Sequence, residues 1–174
     1  MIFNQKNTQI VSLFAFILFV NIYCSAQKNG FVSVVIDPKM LIKGPYEDSE
    51  NGELDFVLKL SDHTETSEIG IAYERFASID YSSYGIFYNQ KIDLPILKDT
   101  SYILGVESGF IRRQVEDHII KLSFALNAGV RYDINSSVGV EVSSNYRYRS
   151  DLVELYDSTN PMIFSGYMGV YYTW

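Results

Sequence analysis

The chain has 174 residues, enough for one domain, with a formal net charge of −7 and 14 Tyr and 11 Phe. An acidic balance argues against electrostatic capture of nucleic acid and gives no general attraction for anionic lipid headgroups, so such contacts would need local basic clusters. A transmembrane helix needs about twenty consecutive apolar residues, and only the N-terminus approaches that length.

Lys6 supplies a positive start there, residues 10–20 an apolar core, and Cys24-Ser25-Ala26 the small residues a signal peptidase inspects. Residues 1–26 are therefore expected to be a secretory signal, with residues 27–174 the mature domain. A membrane-anchoring helix and a lipoprotein acylated at Cys24 are the alternatives. Against the second, Tyr23 stands where a lipobox needs a small residue. Cys24 is the only cysteine. Once it leaves with the leader, no thiol remains for a disulfide, a nucleophile or a zinc–thiolate site.

The rest of the chain reads as about eight strands joined by turns, with no convincing helical period. Residues 31–36 form the weakest segment, apolar on both faces. Leu54, Phe56, Leu58 and Leu60 then alternate with Asp55, Val57, Lys59 and Ser61. Ile69, Ile71 and Tyr73 alternate with Glu68, Gly70, Ala72 and Glu74. Tyr84, Ile86 and Tyr88 alternate with Ser83, Gly85, Phe87 and Asn89, and Tyr102, Leu104 and Val106 with Ile103, Gly105 and Glu107. Residues 119–133 are cleanest: Ile120, Leu122, Phe124, Leu126, Ala128, Val130 and Tyr132 share one face, and Lys121, Ser123, Ala125, Asn127, Gly129, Arg131 and Asp133 the other. Val138, Val140, Val142, Tyr146 and Tyr148 repeat this against Gly139, Glu141, Ser143, Asn145, Arg147 and Arg149. In the last segment Phe164, Met168, Val170, Tyr172 and Trp174 share a greasy face.

Three features favour a closed barrel with its apolar faces in lipid. Small residues mixed with charges of both signs suit a narrow lumen better than a solvated exterior. Tyr73, Tyr84, Tyr102, Tyr132, Tyr146, Tyr148, Tyr172 and Trp174 fall toward strand ends while aliphatic residues fill the middles, as interfacial girdles require. A frayed apolar terminus has nothing to bury against in water, whereas a closing strand pairs with the first. With both termini periplasmic, the long polar connections at residues 38–52 and 150–161 fall outside. Two connections fit poorly: residues 91–100 are long for an internal turn, and residues 77–80 short for an external loop.

With this pattern the chain resembles small eight-stranded outer-membrane β-barrel proteins, the type shared by the OmpA transmembrane domain and OmpX. The resemblance runs from about Gly30 to Trp174 and rests on leader, alternation, girdles and terminal aromatic strand rather than on a subfamily motif. It implies an all-β, eight-stranded antiparallel transmembrane barrel in a Gram-negative outer membrane. It also implies outer-membrane lipid as surroundings and delivery through the barrel-assembly machinery by the C-terminal strand. The Ala26-Gln27 junction and Tyr-rich strands are similar to secreted proteins of Bacteroidota. Because the chain stops at Trp174, no cell-wall-binding domain is expected after the barrel.

The candidate site is the set of inward charges Lys59, Glu74, Glu107, Lys121, Arg131, Glu141, Arg147 and Arg149. A buried charge is costly alone and tolerable in a paired set, so an ion-pair plug is expected, with Glu141 meeting Arg131 or Arg147. A gated pore is the alternative. A catalytic reading has only His63 and His118 to draw on. Neither sits in the His-x-Ser-Asn arrangement of lipid A deacylases, and a triad of His118, Ser123 and Asp117 can be drawn only on paper. Acidic runs at Glu47, Asp48, Glu50 and Glu53, and at Asp151, Glu154 and Asp157, could bridge divalent cations but equally suit solvated loops. No cofactor, metal or catalytic residue is expected. The function expected is a non-catalytic structural or surface-interaction barrel. A narrow porin-like channel, a lipid-modifying enzyme and a soluble lipocalin-like carrier are the alternatives, the carrier with an apolar lumen and polar exterior.

Overall fold

The computed structural model describes residues 29–44, 52–76, 80–114, 118–156 and 159–174. The expected leader, including Cys24, lies outside them. Eight strands follow one another as β1 (Gly30–Ile36), β2 (Asp55–His63), β3 (Ser67–Phe76), β4 (Tyr81–Asp93), β5 (Thr100–Gln114), β6 (His118–Asp133), β7 (Val138–Arg149) and β8 (Met162–Thr173). All neighbours are antiparallel and the ladder closes from β8 back to β1. At the closing seam, Gly30 and Trp174 exchange both backbone hydrogen bonds, 3.2 and 3.1 Å. The Trp174 ring lies over Gly30 where a Cβ would stand, so a larger residue there would have to displace the ring. Closure leaves no strand edge at membrane depth, the condition for β-structure in lipid.

The alternation decides which residue faces where. Ser123, Ala125, Asn127 and Arg131 of β6 are buried inside, while Ile120, Leu122, Phe124 and Leu126 are exposed outside. The same split holds along β3, β4, β5 and β7. In β2, Leu58 and Leu60 have outward parity yet are buried. The strands differ in length, from 7 residues in β1 to 16 in β6, so one sector of the wall is much taller than the other.

Two differences from the sequence reading concern the ends. Where no helical period was expected, two short helices form: α1 (Pro38–Lys43) and α2 (Ser150–Tyr156). Six or seven residues are too few to display a 3.6-residue period, but α1 has clear end signals. The Asp37 carboxylate accepts from Lys39 N at 2.8 Å and Met40 N at 3.1 Å, Pro38 fills the first turn, and Gly44 ends the helix at φ 70°. The connection between β4 and β5 is also shorter than residues 91–100, because β4 continues to Asp93. That leaves residues 94–99. Residues 77–79 and 45–51 lie outside the described residues.

Candidate functional site

The start of β1, the end of β8 and the turns β2–β3, β4–β5 and β6–β7 lie at one end of the barrel, the terminal end. The other, the loop end, carries α1 and α2. Between them the lumen is crossed by two main groups of side chains.

The group nearer the terminal end is centred on Arg131. Its Nε donates to Glu141 Oε2 at 2.8 Å and its Nη1 to Glu68. Lys59 Nζ reaches the other oxygen of Glu141 at 3.1 Å, and Asn89 Nδ2 donates to Glu68 at 3.2 Å. The guanidinium also lies 4.2 Å from the centroid of the Phe31 ring. Two cations face two carboxylates, and all four are buried. Beyond them, toward the same end, Tyr171 donates to Asp133.

Past the Asn145–Asn127 amide pair (3.0 Å), the second group is centred on Arg147. Its Nη2 donates to Glu107 Oε1 at 2.8 Å and lies 3.4 Å from Glu74. Its Nη1 donates to Ser83 and Ser123 at 2.9 and 3.1 Å. Glu74 also accepts from the Tyr167 and Tyr81 hydroxyls at 2.7 and 3.1 Å. Here one cation faces two carboxylates, and neutral hydroxyls supply the remaining donors.

The loop end is roofed. Arg149 holds Asp151 of α2 with two 2.7 Å bonds, Arg113 lies 3.6 Å from the same carboxylate, and Arg149 covers the Tyr81 ring at 4.1 Å. Phe76, Tyr81 and Ile111 form an apolar cluster against which Met40 of α1 packs. Side chains thus reach across the lumen at each of these levels, in keeping with the narrow interior of an eight-stranded barrel.

Of the inward charges read from sequence, Lys59, Arg131 and Glu141 meet in the first group, Glu74, Glu107 and Arg147 in the second, and Arg149 in the roof. Glu141 contacts Arg131 and not Arg147, because six residues along one strand is about 20 Å. Lys121 is a correction: it sits at the loop-end rim and pairs with Glu154 of α2, outside the lumen network. Missed were Glu68, Arg113, Asp151 and the three lumen tyrosines. Strand parity alone marks Glu68, Arg113, Tyr167 and Tyr171 as inward. No sequence signal marks Asp151, whose placement depends on α2.

The residues weighed for catalysis and metal binding are placed as follows. Ser123 faces the lumen and is bonded to Arg147, whereas Asp117 and the His118 side chain lie outside the described residues. His63 ends β2 at the terminal end. Asp151 and Glu154 are engaged by Arg149 and Lys121. Glu47, Asp48, Glu50 and Asp157 lie outside the described residues, and among those described no three His, Cys, Asp or Glu gather around a common point.

The outer wall is the reverse of the lumen. Ile86, Leu126 and Met168 are 64%, 60% and 47% exposed in the middle of their strands. Such a continuous apolar belt is an aggregation surface in water and a solvated one in lipid. Tyr73, Tyr84, Tyr146 and Tyr148 lie on this wall toward the loop end. Tyr102, Tyr132, Tyr172 and Trp174 lie toward the terminal end, with Tyr88 beyond the residues singled out from sequence. Tyr73 packs between Phe56 and Tyr84, with ring centroids 6.0 and 5.1 Å away, and Tyr172 stacks on Trp174 at 5.9 Å. The carrier alternative, which requires an apolar lumen and a polar exterior, is overturned by this arrangement.

Charged lumen, apolar belt and closed ladder define the class: a small eight-stranded transmembrane β-barrel of the outer-membrane type. Solved structures agree on the fold. The outer-membrane protein Ail of Yersinia pestis, determined in a phospholipid bilayer nanodisc, matches with a TM-score of 0.55 at 12% identity, over 85% of this chain and 100% of that one. A de novo designed transmembrane β-barrel matches with a TM-score of 0.50 at 13% identity, over 85% of this chain and 98% of that one. No protein-family model matches the chain, and no curated protein does.

Proposed function

We propose that the protein is a non-catalytic barrel of the Gram-negative outer membrane whose contribution is structural or made through its external loops. The observation that supports this reading is the filled lumen. Arg131 and Arg147 each tie strands from opposite sides of the barrel, and α1 and α2 roof the loop end. A barrel braced in this way is a rigid platform, and the segments joining β1 to β2 and β7 to β8 are the surface it offers. The leader in residues 1–26 directs export, and the C-terminal strand is what the barrel-assembly machinery receives.

The test combines two measurements. In planar bilayers the wild-type protein is expected to stay electrically silent. On intact cells, epitopes placed in α1 and in the segment after α2 are expected to be accessible to antibody. Steady single-channel steps that change with Arg131→Gln or Arg147→Gln would replace this reading with the channel. The channel remains the second reading because both groups consist of exchangeable ion pairs. Altered lipid A in a deletion strain would instead point to an enzyme.

A further inference from the structure

The terminal end of the barrel is not uniform. The turn between β2 and β3 is Thr64-Glu65-Thr66, all three exposed and polar. In the next turn along the same rim, tied to the first by Lys91 N donating to Thr66 O at 2.8 Å, the β4–β5 connection carries Ile96 and Leu97, which are 94% and 55% exposed. Beside them, Ile92 at the end of β4 and Ile134 just past β6 are 45% and 59% exposed. These four form an apolar lip beneath the tall sector of the wall.

The lip is held in shape. Leu97 N donates to Leu94 O at 3.2 Å, Thr100 N to Leu97 O at 3.3 Å, and Asp133 N to Asp99 O at 2.8 Å, which fastens this turn to the next hairpin. Asp99 takes a positive φ of 62° to make the return. The apolar side chains are therefore presented by an ordered double turn. The lip also continues the lipid-facing belt. Ile92 is the register partner of Tyr102, and Ile134 stands two residues beyond Tyr132 on the same outward line, about 7 Å farther along the strand. The apolar surface thus runs past the Tyr102–Tyr132 girdle on this sector. On the β2–β3 sector it gives way to Thr and Glu.

We infer that this lip is a membrane-insertion element. Ile92, Ile96, Leu97 and Ile134 lie in the headgroup–acyl boundary of the phospholipid leaflet at the terminal end, so the barrel sits tilted with its β4–β6 side sunk deeper. Phospholipid is the occupant because the lip is continuous with a surface that lipid already covers. The flanking Lys91, Asp93, Lys98 and Asp99 sum to no net charge, so apolar area and not headgroup charge drives insertion. Long Lys side chains can reach the headgroups from such a position.

The experiment places a single tryptophan on either turn, Leu97→Trp or Glu65→Trp, in a Trp174→Phe chain refolded into phosphatidylcholine vesicles. A heat-modifiability gel confirms closure of each variant. The expected result is that Trp at position 97 is quenched strongly by lipids brominated near the headgroup and weakly by aqueous acrylamide. Trp at position 65 should show the opposite, with several-fold differences in both quenchers. Position 97 freely quenched by acrylamide and untouched by brominated lipid would overturn the inference. So would protection from both quenchers, which would mean a second protein copy covers the lip. Where Trp174→Phe prevents refolding, an environment-sensitive fluorophore on Leu97→Cys and Glu65→Cys in a Cys24→Ser chain reads the same contrast. Equal emission from the two positions would then refute the lip.

Discussion

The two groups inside the barrel satisfy buried charge in different ways. Around Arg131 charge answers charge: Lys59 and Arg131 against Glu68 and Glu141. Around Arg147 one guanidinium serves Glu74 and Glu107, and hydroxyls of Tyr81 and Tyr167 supply what a second cation would. Removing Arg131 from the first group leaves Glu68 without a cation. Removing a hydroxyl from the second leaves a carboxylate still facing its cation. Loss of a charged partner from the first group should therefore cost more than loss of a hydroxyl from the second, although both fill the same lumen.

Replacing Arg131 gives the largest expected effect. Arg131→Met strands Glu68 and leaves Glu141 with only Lys59, and should cost about 3–5 kcal/mol, the usual loss when one partner of a buried pair is removed. Urea unfolding in detergent micelles, followed by the heat-modifiability shift, measures it. The companion quadruple change Lys59→Met, Arg131→Met, Glu141→Leu, Glu68→Leu, which leaves no member of the cluster charged, should recover most of that loss, because a well-packed apolar set is often as stable as a buried ion cluster. A quadruple variant no better than Arg131→Met would mean that packing on Phe31 and Tyr171, not charge, is what Arg131 contributes.

An intermediate effect is expected in the second group. Tyr167→Phe removes one hydroxyl donor from Glu74 and should cost about 1.5–3 kcal/mol, the range for hydrogen bonds to a charged group. The same denaturation assay reads it. A loss equal to that of Arg131→Met would erase the distinction between the two groups.

The smallest effect belongs to the rim. Lys121 and Glu154 are both partly exposed, and exposed pairs contribute about 0–1 kcal/mol. A double-mutant cycle on Lys121→Ala and Glu154→Ala should give a coupling in that range and one that shrinks with added salt. A larger, salt-insensitive coupling would mean that α2 is locked to β6 through this pair.

Strand parity was legible in the sequence because a β-barrel writes its two faces in alternate residues. From Ile120 to Asp133 the segment keeps one face wholly apolar and the other small or polar, and β6 follows it. What parity leaves open is which inward residues meet. Arg131 and Glu141 are direct register partners on β6 and β7, so adjacency made that contact readable. Lys59 and Glu141 meet across the lumen from β2 and β7, which only the closed shape decides. Arg147 reaches Glu107 because Ala125 stands between them in one register row and leaves room. Lys121 has inward parity too, but its place at the rim let α2 draw it away. The helices themselves were too short for a period to show, although Asp37-Pro38 and Gly44 mark the ends of α1.

The central claim is a closed barrel whose apolar wall meets lipid and whose charges fill the lumen. An SDS gel of membrane and soluble fractions, with unboiled beside boiled sample, tests it most directly. The account predicts an unboiled band in the outer-membrane fraction that migrates faster than the boiled one, as a closed, detergent-resistant barrel does. A band in the soluble periplasm with no shift on boiling would contradict it.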